Sequence, residues 1–364
     1  MIGRWRKLGG AAVAVIAACL AAAYRLDSLP GHARLVHSAH VRRVQVLVGD
    51  LGIEAHEVFR CVVAAPSRRA SLIHAWRIVA FLDQFEGEPR FALAALWRRG
   101  LTERFGVSFS ALPAKEPRLL IHWPSLEEGH DGQFLAAMAE SGVPANAIVR
   151  TSRGERTIQG RLDSDCTRRA VLEEPEFLAT PFAIYFRGHV SRVIGFRGYC
   201  DDILDRLINS DAGSTGTCSG THRLYSIAVL LNVNQSVPIL TSESEEKGRR
   251  YLQRLGSQLH AIQHEDGAWR MDWADDRPFT APQDTSIRWG GDVQITAHHL
   301  EWIAVNPFET MEDTAVLRAL RFLDRCIGEA SDRDIRADYC GYTHALRAML
   351  LWGTDVRDGG QADP

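Results

Sequence analysis

Three stretches of this 364-residue chain repeat one phrase, a histidine followed by an apolar helical pattern. They read THRLYSIAVLL from Thr221, AHHLEWIAV from Ala297 and THALRAMLLW from Thr343. Looser copies start at His74 and His130, and a sixth, without the histidine, begins near Thr180. Leu224, Ile227 and Leu231 fall on one helical face, as do Leu346, Met349 and Leu350. From 74 through 130, 180, 222 and 298 to 344, the heads step by 56, 50, 42, 76 and 46 residues. Two helices and two loops of ordinary length occupy about 45–55 residues, so each step holds one helical hairpin. The long step carries an insert, Glu265 to Asp292. The expectation is an all-α fold, a single α/α toroid of about six helical hairpins over residues 50–354 with the repeated helices inside. An open helical array is the alternative. Strand patterns are scarce, and only Arg42–Val48 and Pro117–Trp123 look extended.

Ahead of the repeats lies a targeting pattern. Arg4, Arg6 and Lys7 precede the uncharged run Leu8–Tyr24, whose 17 residues sit at the short end of a bilayer span. Three readings stay open. They are an uncleaved signal anchor, a signal peptide cleaved after Ala21-Ala22-Ala23, and a lipobox ending at Cys19. All three carry the body out of the cytoplasm, with a membrane contact through residues 8–24. The expected layout is residues 1–24 as the signal segment, 25–49 as a lead-in, 50–354 as the toroid and 355–364 as a disordered tail. A formal charge of −3 argues against a nucleic-acid partner, which would call for a basic patch. Seven cysteines are too few for a disulfide scaffold.

The stretch Leu259…Gln263…Gly267-Ala268-Trp269 resembles the QW motif of the terpenoid cyclase and prenyltransferase superfamily. That resemblance implies an α/α toroid in which Gln263 and Trp269 clamp helix ends. It carries no reaction with it. The DxDD acid of the squalene-type cyclases has no counterpart, because Asp272-Trp273-Ala274-Asp275-Asp276 has the wrong spacing. Prenyltransferases bind zinc through Asp, Cys and His, and Asp338, Cys340 and His344 offer those types without aligning to the family pattern. Lanthionine synthetase cyclases, another zinc toroid, use two cysteines and a histidine. Cys218/His222 with Cys340/His344 resembles that inventory without its motifs.

Those two pairs share a Cys-x3-His spacing, which on a continuous helix puts both side chains on one face. Thiolate and imidazole are the usual ligands of zinc, so Cys218, His222, Cys340 and His344 form the expected metal set. Thr221 and Thr343 read as N-caps, which would leave both cysteines in the preceding loops. In a toroid His222, His298 and His344 gather at one end, where the helix dipole keeps them neutral. Asp338, Glu301, Asp292 and Asp131 are the acids at hand, and His298, Glu301 and Asp338 are the catalytic candidates. The alternative for each Cys–His pair is an inert buried thiol beside a packing histidine; a third reading is a Cys218–His222 nucleophile. Trp269, Trp273, Trp289 and Trp302 fit either a carbohydrate cleft, with Glu301 and Asp292 or Asp338 as its acid pair, or core packing. Three functions therefore remain. They are an exported, membrane-attached, metal-assisted enzyme for a small molecule, a glycan-active or glycan-binding envelope protein, and a non-catalytic scaffold.

Overall fold

The computed structural model describes residues 52–54, 60, 72–78, 108–112, 118–123, 132–152, 154–167, 175–186, 196–210, 218–274, 289–352 and 355–357. The signal segment, the lead-in with Arg42–Val48, and His130 and Asp131 lie outside them. The described chain is mostly helical. Its helices are α1 (Gln133–Glu140), α2 (Ile158–Thr167), α3 (Pro175–Phe186), α4 (Phe196–Asn209), α5 (Thr221–Ser236) and α6 (Ser242–Ile262). After a π-helical turn (Trp289–Val293) come α7 (Gln294–Val305), α8 (Asp313–Glu329), α9 (Asp332–Ala337) and α10 (Tyr339–Leu351). Residues 72–78 are also helical.

Burial sorts these helices into two kinds. In α5 every residue from Thr221 to Val233 is buried, and in α7 every residue from Ile295 to Val305. Helix α10 is buried at Tyr339 and from Gly341 to Leu351. By contrast α6 and α8 bury one stripe each, Tyr251, Leu252, Leu255 and Leu259 in the first and Val316, Ala319, Leu320 and Leu323 in the second. A helix apolar on all sides must be surrounded, whereas a one-striped helix covers it and faces water. The histidine-headed phrases are thus the inner layer. In it α1 packs on α3, α3 on α5, α5 on α7 and α7 on α10. Outside, α4 lies on α3, α5 and α6, α6 on α5, and α8 on α7 and α10. Residues 72–78 touch both ends of the inner row. Trp76 Nε1 donates to Ser141 Oγ just past α1 (2.9 Å), and the His74 ring lies edge-on to His344 of α10, 5.1 Å between centroids.

The QW-like segment ties the two layers. Gln263, just past α6, donates from Nε2 to the carbonyls of Gly267 (3.0 Å) and Ala315 in α8 (2.8 Å), and accepts from Arg318 at Oε1 (2.6 Å). Trp269 is fully buried, its Nε1 donating to Leu259 O (2.9 Å) and its backbone N–H to Thr296 Oγ1 of α7 (2.9 Å).

Several expectations need correcting. The chain is not all helix: β2 (Ser108–Leu112), β3 (Arg118–His122), β4 (Ile148–Thr151) and β5 (Gly154–Thr157) form a sheet in that order. Strands β3 and β4 are parallel and the other neighbours antiparallel. Only β3 was legible, within Pro117–Trp123; β4 and β5, four residues each, are too short to display an alternation. Residues 355–357, expected to open a disordered tail, form β6 (Asp355–Arg357) parallel to β1 (Gly52–Glu54). The threonine caps are also overturned. Thr343 lies inside α10, which Asp338 caps by accepting from Gly341 N–H (3.2 Å), because a carboxylate at the positive end of a helix is the stronger cap. Gly220, not Thr221, caps α5. Both threonines instead donate to the carbonyl three residues back, Thr221 to Cys218 (2.7 Å) and Thr343 to Cys340 (2.9 Å). Among the described residues no helix is long and apolar enough to cross a membrane.

Candidate metal centre

The two Cys-x3-His pairs take different local forms and reach the same place. Cys340 and His344 sit a turn apart on α10. Cys218 lies before α5, in a turn where it and Ser219 adopt φ of 50° and 54°. Left-handed backbone at a non-glycine residue costs of order 1–3 kcal/mol and persists only where its surroundings impose it. Here Trp273 Nε1 donates to Ser219 O (3.2 Å), and the turn holds the Cys218 sulfur over His222. Gln294, the first residue of α7 after the π turn, donates from Nε2 to both sulfurs, 3.1 Å to Cys218 and 3.3 Å to Cys340. The two sulfurs also hydrogen-bond one another.

The histidine row converges as expected. Ring centroids lie 4.6 Å apart for His222 and His298, 3.8 Å for His298 and His344, and 5.9 Å for His222 and His344. Glu301, 1% exposed, ties two of these rings. Its Oε1 is 2.9 Å from His344 Nδ1 and its Oε2 is 3.4 Å from His298 Nδ1. A carboxylate accepts, so both Nδ1 atoms carry protons there. The Nε2 of His344 is left buried and without a hydrogen-bond partner among the described residues, while the His298 ring has the Cys218 sulfur on its other side. A ring fixed at Nδ1 by a carboxylate and bare at Nε2 is the usual posture of a metal-ligating histidine.

The donors fall into two groups, each with three atoms mutually within 4.8 Å. One is Cys218, His222 and His298, and the other is His74, Cys340 and His344. Around a tetrahedral zinc, with bonds of 2.0–2.3 Å, donors stand roughly 3.5 Å apart, so each group needs only a small inward closure. The residues therefore fit a metal. A third group, His298, Glu301 and His344, uses the acid that orients the other two.

The electrostatics explain how so many titratable groups share a buried space. The S–H of Cys340 and then the His298 and His222 rings hold the Cys218 thiol well below its usual range, against burial. The same hydrogen bond between the two thiols, with burial, pushes Cys340 up. Burial lowers His222, His344 and, to about 3, His74. His298 departs from the expected neutrality. Burial would lower it, but the Cys218 thiolate and Glu301 outweigh burial and raise it to about 9. A partner on each side decides its charge, not the helix dipole. Burial also pushes Glu301 up, yet Arg347, then His344 and the ring N–H bonds, hold it well below its ordinary value. Arg347 Nη1 is 3.0 Å from Glu301, and its Nη2 reaches Glu140 (3.1 Å) and Tyr225 Oη (2.7 Å).

All seven expected site residues thus meet at one end of the inner helices, in altered roles. His298 belongs among the ligand candidates, and Glu301 is an orienting acid with no free face. Asp338 stays half-buried; burial, with the Cys218 charge adding, raises its carboxyl, and its Oδ2 has no hydrogen-bond partner among the described residues. His74, Gln294 and Arg347 were not anticipated as site residues, though His74 heads a copy of the phrase. Asp292 is spent elsewhere, buried in an ion pair with Arg270. Trp269, Trp273 and Trp302 are buried in the core and do not line a cleft; the Trp289 side chain lies outside the description. No family model matches the chain, and neither a curated protein nor a solved structure matches it.

Proposed function

We propose that this chain is a metal-dependent enzyme built on a closed α/α toroid, its centre at the mouth where α5, α7, α10 and residues 72–78 meet. The observation that carries the proposal is the donor group itself: His298, held at Nδ1 by Glu301, meets Cys218 and His222 with the three ligand atoms mutually within 4.8 Å. Cys218, His222 and His298 are three protein donors, the number that leaves a zinc its open, catalytic position. A divalent ion there supplies Lewis acidity and brings the ionisation of water towards neutral pH. The chain's own residues do the rest. Cys218 offers a sulfur already favoured as thiolate, Glu301 fixes the His298 ring, and Gln294 steadies both sulfurs from the side. Asp338, half-buried with a free Oδ2, is the group that moves a proton between site and solvent. Small molecules that use activated water are the substrate class.

Toroid closure is supported by residues 72–78, which touch both α10 and the end of α1. The QW-like clamp at Gln263 and Trp269 supports kinship with the cyclase and prenyltransferase toroids. The run Leu8–Tyr24 supports a membrane-attached protein with its body in the cell envelope.

Metal counting and an open-position test decide the reading. Full-length protein, purified reduced and supplied with zinc, should retain zinc through dialysis, and Cys218→Ser or His298→Ala should release the ion held by Cys218, His222 and His298 with the helical circular dichroism intact. The cobalt-substituted protein should change its visible spectrum when azide is added, because an open position accepts the anion. Retention with a spectrum indifferent to azide would make the site structural, and absence of any bound metal would end the proposal.

A further inference from the structure

The donors left over from the first group make a second site. We infer that His74, Cys340 and His344 hold a second divalent cation beside the first, so that the mouth is a two-metal centre. This rests on the metal reading above and deepens it.

Four observations carry the inference. First, Glu301 holds His344 as it holds His298: Nδ1 stands 2.9 Å from Glu301 Oε1, Nε2 is without a hydrogen-bond partner among the described residues, and the residue is 1% exposed. An imidazole nitrogen buried bare costs free energy unless something occupies it. Second, the two groups have one design. Each takes a cysteine, the histidine four residues later, and a histidine from the neighbouring inner helix, α7 for the first and residues 72–78 for the second. Third, each donor group found among the described residues, mutually within 4.8 Å, contains at most one of the two sulfurs. Fourth, the groups adjoin: the centroids of the His298 and His344 rings are 3.8 Å apart, and one Gln294 amide reaches both sulfurs.

Each ion would take one thiolate, with Cys340 giving up its proton as the metal binds. Glu301 becomes the shared element, since one carboxylate orients a ligand of each ion. Arg347, ion-paired to Glu301, holds that carboxylate from the opposite side.

Cobalt titration of the reduced, full-length protein tests the inference without any variant. The thiolate-to-cobalt absorption should grow until two equivalents are bound, and elemental analysis after dialysis should find two ions per chain. His74→Ala should leave one ion, still lost when Cys218→Ser is added. A break at one equivalent, with His74→Ala binding as the unsubstituted chain does, would overturn the second ion and leave the first standing. One equivalent that needs both Cys218 and Cys340 but neither His74 nor His222 would replace the pair with a single bridging site. No binding at all would remove both.

Discussion

His298 and His299 are adjacent on one helix and have opposite fates. The His299 Nδ1 accepts from Trp302 Nε1 (3.0 Å), and its ring is edge-on to Trp273 at 4.7 Å and Trp269 at 5.5 Å. It is a core residue, and burial lowers it well below the usual histidine range. One position earlier, His298 turns to Cys218 and Glu301. A single helical step of about 100° separates packing from chemistry. The Cys-x3-His pairs were legible because their spacing is local. Glu301 was legible as an acid and not as an orienting one, since that role depends on rings from two helices. Gln294 and Arg347 were opaque: a neutral amide matches no motif, and an arginine inside an apolar run reads as a helix edge. The Glu301 role gives a direct expectation. Glu301→Gln should weaken metal binding about 10- to 100-fold, measured by competition with a chromogenic chelator on folded protein. Unchanged affinity would mean that the carboxylate does not set the ring orientation.

At the scale of elements, the inner helices could be read from the chain because a helix buried all round is apolar all round. The sheet could not, since β5 is four residues of largely exposed Gly-Glu-Arg-Thr that gain their order from β4. The joints between layers depend on backbone geometry that residue patterns only hint at. At Gly267, φ is +96°, and an added Cβ would stand 2.3 Å from Arg318 O of α8, so both the torsion and the approach require glycine. Gly154 has φ of +114° with nothing within 4 Å of its Cβ direction, which isolates the torsional part. Gly154→Ala should cost about 1–2 kcal/mol of unfolding free energy from backbone strain alone. Gly267→Ala should cost clearly more, because Gln263 would lose its hold on the Gly267 and Ala315 carbonyls together. Equal costs in urea titrations would show that the α6–α8 joint yields without penalty.

For the whole molecule, the heads at 74, 180, 222, 298 and 344 lie within helices of one packed row, and α1 begins three residues after the head at 130. What no local pattern carried is the contact of residues 72–78 with both α1 and α10, which joins residues far apart in the chain. Arg77 is paired with Glu140 at 2.8 Å, and Arg347 reaches the same carboxylate at 3.1 Å. All three side chains are at most 8% exposed, so this is a buried network in which a lone charge is expensive. Removing Glu140 takes from Arg77 its paired carboxylate and leaves Arg347 to Glu301 alone, and Glu140→Gln should destabilise by about 3–5 kcal/mol. A double-mutant cycle of Glu140→Gln with Arg77→Met should return a coupling of roughly 1–3 kcal/mol, because the second change removes a charge the first left unpaired. Zero coupling would mean that residues 72–78 do not close the row. The same closure brings His74 to His344, so Arg77→Met should lower the second ion's occupancy and leave the Cys218 ion untouched. Loss of both ions together would instead show that the network supports the whole mouth, and that closure and metal binding are one cooperative event.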